Sequence, residues 1–189
     1  TLFPYPTLFR PGPTDNTVIV CTSDHGEGIG SHQRTRKNVL YGESLNVPLI
    51  VSWPGSIPAD ALDRRHVVSG LDIMPTLCAC AGVAAPPRQR GHNLLPLVAG
   101  NQLQWREFCV SEVAANRGRM VRTPDFKYIV YRDDPVVQLF NLREDPGELR
   151  NLAGNGAFAD VLQAHRALLS DWEKHLDVPA GVPSPEAFI

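Results

Sequence analysis

Residues 17–54 constrain the fold more than any other stretch, because they set a charged, glycine-punctuated loop between two apolar runs. A β-branched run from Thr17 to Cys21 ends in Ser23-Asp24-His25-Gly26, and a basic loop carrying His32 and Lys37 follows. A second run, Val47-Pro48-Leu49-Ile50-Val51, closes the unit. Short runs rich in Val and Ile, bounded by turn residues, predict strands. In a parallel α/β sheet, ligands bind beyond the carboxyl ends of strands. An Asp-His pair directly after the first run therefore stands where a metal or an oxyanion would sit.

Composition excludes several classes. With 189 residues, 43% of them hydrophobic, the chain is long enough for a real core. A net charge of −2 lacks the basic footprint of a nucleic-acid binder. No apolar stretch approaches the ~20 residues that a membrane-spanning helix needs. The four cysteines, Cys21, Cys78, Cys80 and Cys109, fit neither a disulfide scaffold nor a zinc module. Cys21 is expected to be buried on its strand, with Cys78 and Cys80 packed on a helix, since free cysteine behaves as a small hydrophobe. A disulfide between any pair stays open.

From Thr17 to about Asn101 the pattern alternates strand and helix. Asp72 is the expected N-cap of a short helix, with Pro75 in its first turn and Gly82 as its C′ stop. Leu94 to Val98 reads as a short helix or turn ending at Gly100. A composition shift near Asn101–Arg106 sets the expected boundary between a first domain, 12–105, and a second, 106–189. Beyond it, Phe108 to Val113, Arg119 to Arg122, Phe126 to Tyr131 and Val137 to Asn141 read as short strands, with Thr123-Pro124-Asp125 as a hairpin turn. A final helix is expected over Ala157 to His175, because Phe158, Val161, Leu162, His165, Leu169, Trp172 and Leu176 recur at helical spacing.

The residues themselves leave two readings at each position. Asp24 is a hard carboxylate suited to Ca²⁺ or Mg²⁺, and is equally a turn-capping residue. His25 adds an imidazole, which prefers Zn, Mn or Fe over Ca²⁺, or simply bonds to backbone. Lys37 is a candidate for stabilising charge on an anionic ester, or one of the solvated charges Arg34, Arg36 and Lys37. His32 would polarise substrate or orient Lys37, or be a satisfied loop histidine. Gly26, Gly28 and Gly30 read as loop geometry. His66, His92, His165 and His175 have no spacing that implicates a metal. Asn116 to Arg119 with Arg122 form a basic cluster, either a pocket lining for an anionic sugar or a solvated strand edge.

Taken in order, these motifs resemble the sulfatase family of the alkaline-phosphatase-like superfamily. Its members show a strand, T-S-D-[NH]-G, a loop ending H-x(4)-K-x(3)-Y-E-E-S, then V-P-L-I-V and P-G. The matching residues are Thr22 to Gly26, His32, Lys37, Tyr41-Gly42-Glu43-Ser44, Val47 to Val51 and Pro54-Gly55. Gly42 is the clear departure, where the family usually has Glu. Weaker echoes follow at Leu71 to Leu77, Gly91 to Leu97, Leu139 to Leu142, Glu144 to Glu148 and Asn151-Leu152. The fold implied is α/β: the carboxy-terminal part of an alkaline-phosphatase-like sheet with flanking helices, plus a small antiparallel sheet and terminal helix.

The resemblance implies a sulfuric ester hydrolase acting on a small-molecule or glycan sulfate ester. It assigns Asp24 and His25 as ligands of a divalent metal, Ca²⁺ before Mg²⁺ or Mn²⁺, and gives Lys37 a sulfate contact, with His32 beside it in the catalytic set. Phosphonate monoester or phosphodiester hydrolases of the same superfamily, some with His at the position of His25, are the alternative chemistry. A non-catalytic module that binds sulfated glycans is the alternative class.

Sulfatases carry a C-x-P-x-R or S-x-P-x-R element whose first residue becomes formylglycine, the nucleophile, and none of the four cysteines begins one. The expectation is a carboxy-terminal fragment, inactive alone, with the formylglycine and further metal carboxylates in a missing amino-terminal part. Residues 1–11, TLFPYPTLFRP, resemble the translation of a common DNA-sequencing adapter, TLFPYTTLFRS, differing only at Pro6 and Pro11. They are expected to be an artefact. Localisation is then unreadable from the start of the chain, with a periplasmic or secreted parent compatible with the family; oligomeric state is likewise unspecified.

Overall fold

A computed structural model of the chain describes residues 16–101, 104–113, 117–132 and 134–176. The segment 1–11 expected to be adapter-derived lies outside these. The described elements are β1 (Ile19–Thr22), α1 (Gly42–Leu45), β2 (Leu49–Ser52), α2 (Ile73–Cys80), α3 (Leu95–Val98), β3 (Cys109–Val113), β4 (Gly118–Arg122), β5 (Phe126–Tyr131), β6 (Asp134–Asn141) and α4 (Ala159–Lys174). Contacts group them into two compact units. Of the described residues, one unit holds those up to Asp24 with those of Val47–Trp105, and the other holds His25–Asn46 with those from Arg106 to Leu176.

In the first unit β1 and β2 pair antiparallel, with Ile19 opposite Ser52 and Thr22 opposite Leu49. The parallel setting used to read the Asp-His pair is therefore not the relation between these two strands. Cys21 is exposed rather than buried, because β1 presents it away from its partially covered neighbour Val20. Asp72 occupies the N-cap position of α2 as expected, but its side chain makes no capping bond to that helix. Ser69 caps the 3-10 turn Gly70–Asp72 that leads into α2: its hydroxyl accepts from Leu71 N–H, while Asp72 Oδ2 accepts from Ser69 N–H at 2.8 Å, a capping box. Asp72 is thereby freed for a second task, since its buried Oδ1 accepts from His92 N–H at 2.7 Å. Thr76 Oγ1 donates to Asp72 O and accepts from Leu94 N–H, so one turn of helix stitches down the 91–94 segment. Gly82, with φ +68°, stops α2 in a Schellman arrangement, Val83 N–H reaching Cys78 O.

Gly91 makes that stitching possible. A Cβ there would stand 1.9 Å from Leu71 O. Gly91→Ala is expected to cost about 2–3 kcal/mol, the overpacking range, read as a lower denaturant midpoint with an unchanged slope.

The second unit is a four-stranded antiparallel sheet in the order β3-β4-β5-β6. Period-two alternation gives it two apolar faces. Val121, Tyr128, Val130 and Leu139 pack against Leu162 and Leu169 of α4. On the other face Met120, Ile129 and Phe140 pack against Leu40, which is fully buried, with Tyr41 and Leu45 beside it. The loop before α1 thus covers one face as α4 covers the other. α4 itself follows a 3-10 turn capped by Asn155, whose Oδ1 accepts from Ala157 N–H.

Arg119 belongs to neither reading of the basic cluster. It is 2% exposed and its guanidinium bonds Glu112 at 2.7 Å and Glu173 of α4 at 2.5 Å, lying over the Trp172 ring. Asn116 of that cluster lies outside the described residues.

Candidate functional site

The loop 25–46 is held by close backbone approach. Gly26 N–H donates to Ser44 O at 2.8 Å, and a Cβ on Gly26 would stand 1.9 Å from Glu43 O. A Cβ on Gly28 would stand 2.9 Å from Arg34 O. Between them Ile29, His32 and Gln33 take positive φ of 42°, 49° and 57°. Non-glycine residues adopt this region at a cost of order 1–3 kcal/mol each, and such strain persists where surrounding contacts over-determine it.

Two of the expected site residues are brought together. Lys37 Nζ stands within hydrogen-bond reach of His25 Nε2, and His25 Nδ1 is 2.7 Å from Gly26 O. The carbonyl can only accept, so Nδ1 carries the proton and Nε2 presents its lone pair to the Lys37 ammonium. That tautomer suits a metal-binding imidazole, whose second nitrogen is held by a backbone carbonyl. Asp24 is exposed at the end of the first unit's strand segment. Among the described residues no group of three or more His, Cys, Asp or Glu side chains could hold a metal.

His32 is engaged elsewhere. Its Nδ1 lies 2.7 Å from Glu43 Oε1 and its Nε2 lies 3.1 Å from Glu148 O. Both partners are acceptors, so both ring nitrogens donate and the ring is an imidazolium. It stacks on Tyr41 with centroids 3.9 Å apart, an arrangement that favours a cation on the ring face. Burial alone would lower its pKa, but the bonds to Glu148 O and Glu43 outweigh that and raise it above 6.5. The folded state therefore holds this proton more tightly than the unfolded state. Its stabilising contribution is complete below pH 6.5 and is lost as pH rises through the raised value. In an NMR titration the His32 midpoint is expected above 6.5, and Glu43→Gln is expected to return it toward the ordinary value.

His165 has the opposite sign. It is buried on α4 with Nδ1 against Val161 O and Nε2 against Thr123 Oγ1, and burial pushes its pKa down. Its stabilising contribution is present above pH 6.5 and fades on acidification below it.

Four further residues position the loop, and no motif reading singled out their roles. Glu148 Oε2 accepts from Gly42 N–H at 3.0 Å, and Glu148 Oε1 pairs with Lys127 Nζ at 2.5 Å, both side chains being almost fully buried. Lys127 also donates to Leu40 O at 3.3 Å. Tyr131 Oη accepts from Leu40 N–H at 3.0 Å, its ring lying across Gly118, where a Cβ would be 2.5 Å from it. Glu43 is the fourth, through His32. The buried alternation of β5 was the available signal: Lys127 occupies an inward position between Phe126 and Tyr128, which no solvated lysine would.

Residues 30–175 match the model of the family described as N-sulphoglucosamine sulphohydrolase, C-terminal. A Delta 4,5-hexuronate-2-O-sulfatase of Bacteroides thetaiotaomicron is 37% identical over 166 residues, covering 83% of this chain and 34% of that protein. The chain thus spans about a third of that relative's length. Among solved structures, a 2-O GAG sulfatase superposes with TM-score 0.78 at 34% identity, over 85% of this chain and 36% of that one. The phosphonate monoester hydrolase of Agrobacterium radiobacter gives TM-score 0.72 at 30% identity, over 87% and 36%. The α/β, alkaline-phosphatase-like fold class expected from the motifs agrees with these likenesses. The chain belongs to the sulfatase family, and the part of the family that it matches is the carboxy-terminal domain.

Proposed function

We propose that the longer protein carrying this domain is a sulfuric ester hydrolase that cleaves a sulfate monoester on a glycan. The contact between Lys37 and His25 carries the reading, because it sets an ammonium beside the imidazole lone pair in a chain of this family. Asp24 and His25 would contribute two ligands to a divalent metal, Ca²⁺ before Mg²⁺ or Mn²⁺, which would polarise the sulfate when bound; His25 Nε2 would then serve the metal, with Lys37 Nζ turned from it to the sulfate. The nucleophile, a formylglycine, belongs to an element that this sequence does not contain, so the chain alone is expected to be inactive. Lys37 holds charge at the sulfate and meets the negative charge developing on the leaving oxygen. Its ammonium is worth most where water is excluded, since the interaction strengthens between ground and transition state. The likeness to a hexuronate-2-O-sulfatase and to a 2-O GAG sulfatase supports a sulfated glycan as substrate class.

The test is to recover the full coding sequence, express the whole protein with its maturation factor, and assay sulfate release. In that protein Lys37→Ala is expected to lower kcat by about 10²–10³-fold, the range for removing one preorganised charge-stabilising group. Hydrolysis undiminished by Lys37→Ala would remove Lys37 from the chemistry. A second reading, hydrolysis of phosphonate monoesters, is supported by the likeness to the Agrobacterium radiobacter enzyme. The ratio of kcat/KM for 4-nitrophenyl sulfate and 4-nitrophenyl phenylphosphonate decides between them.

A further inference from the structure

Glu148 joins three parts of the second unit through different atoms. Its carboxylate takes Gly42 N–H and the Lys127 ammonium, while its own carbonyl takes His32 Nε2–H. It does so from a left-handed conformation, φ +55°, as does its partner His32 at φ +49°. Strain at both ends of one hydrogen bond is what a clasp needs, since each backbone is held where contacts rather than local preference put it. The turn that presents it is built for the purpose. Asp145 N–H reaches Asn141 O, Glu148 N–H reaches Asp145 O, and Asp145 Oδ2 accepts from Arg150 N–H. That turn follows β6 directly, so it is anchored to the sheet.

We propose that Glu148 is a positioning residue for the loop 25–46: by holding Gly42 and His32 it fixes where His25 and Lys37 stand. The carboxylate locks the start of α1, and α1 carries the Ser44 carbonyl that receives Gly26 N–H, one residue from His25. The carbonyl locks the strained turn five residues before Lys37. The segment bearing the pair is thus tied at two points to one residue, through its carboxylate and its backbone carbonyl, and that residue touches neither His25 nor Lys37. The catalytic meaning given to Lys37 rests on the sulfatase reading; the mechanical role of Glu148 does not.

The test uses the whole 189-residue chain with amide hydrogen exchange. Glu148→Asp keeps the charge beside Lys127 and draws the carboxylate back by one methylene. It is expected to raise exchange at Gly26, Gly30, Arg34 and Gly42 by about tenfold relative to the β4 and β5 amides, a local opening. The His25 imidazole ¹⁵N shifts are expected to move with it, as the Lys37 contact is lost. Leu169→Ala, on the opposite face of the sheet, is expected to raise exchange across the second unit together and leave those shifts in place. If Glu148→Asp does not fold, Glu148→Leu combined with Lys127→Met removes the carboxylate without leaving a buried charge unpaired and gives the same comparison. Uniform exchange changes, or an unmoved His25 spectrum in a folded Glu148 variant, would overturn the inference. Absence of sulfate and phosphonate hydrolysis in the unsubstituted full-length protein would overturn the functional reading instead, leaving the exchange result untouched.

Discussion

Lys127→Met is expected to destabilise the second unit by about 3–5 kcal/mol, the cost of leaving a buried carboxylate without its partner. The side chains of Lys127 and Glu148 are 1% and 2% exposed and stand 2.5 Å apart, so water cannot replace the lost ammonium. Burial already presses the Lys127 pKa below its ordinary value, with the Glu148 charge opposing it. The pair is therefore held together by desolvation that each member would suffer alone. At roughly 2–4 °C per kcal/mol for a chain of this size, the melting point falls by roughly 6–20 °C. Lys127→Met combined with Glu148→Gln is expected to recover much of the loss, because no uncompensated charge then remains in the core. A Lys127→Met protein as stable as the original would mean that the pair is hydrated in solution. Equilibrium urea unfolding of the four-member cycle measures both outcomes.

Gly26→Ala is expected to cost about 3 kcal/mol or more, at the top of the overpacking range. The methyl group would meet Glu43 O at 1.9 Å, and backbone on both sides leaves no flexible side chain to yield. The Gly26 N–H bond to Ser44 O would break as the strands of the loop separate. The effect should be larger than for Gly30, where a Cβ has nothing within 4 Å, although φ +95° still strains any other residue there. In the full-length protein, Gly26→Ala is expected to abolish hydrolysis along with Lys37 placement. A Gly26→Ala chain that melts like the original would show that the approach of the two segments is looser than 1.9 Å allows.

Much of this was legible in the chain. The strands of the second sheet follow the alternation of Phe126 to Tyr131 and its neighbours, and the terminal helix follows the spacing of Val161, Leu162, His165 and Leu169. Periodicity reports burial of a face, and burial is what these elements have. The Gly82 stop is legible for a similar reason, since a left-handed C′ position favours glycine in any context. Asp72 stands at the N-cap of α2 as its residue type implies, but the partner of its carboxylate, Ser69 N–H of the preceding 3-10 turn, is not legible from that residue type. Cys21 was misread because a β-branched run implies at least one covered face, and burial at that position depends on what packs over it.

The sequence by itself determined the family, the order of elements and the proximity of Asp24, His25, His32 and Lys37 along one segment. Those properties are local or nearly so: residue type, short-range spacing and turn chemistry encode them. Only the tertiary structure separated His32, bound between Glu43 and Glu148, from His25, whose Nε2 faces Lys37. Which histidine carries which protons depends on acceptors from distant positions, 116 residues away for the Glu148 carbonyl. Lys127, Tyr131 and Glu148 reach the loop from the far sheet for the same reason. Buried polar groups must find partners wherever the fold brings them, and no spacing rule within one segment specifies those long-range pairings.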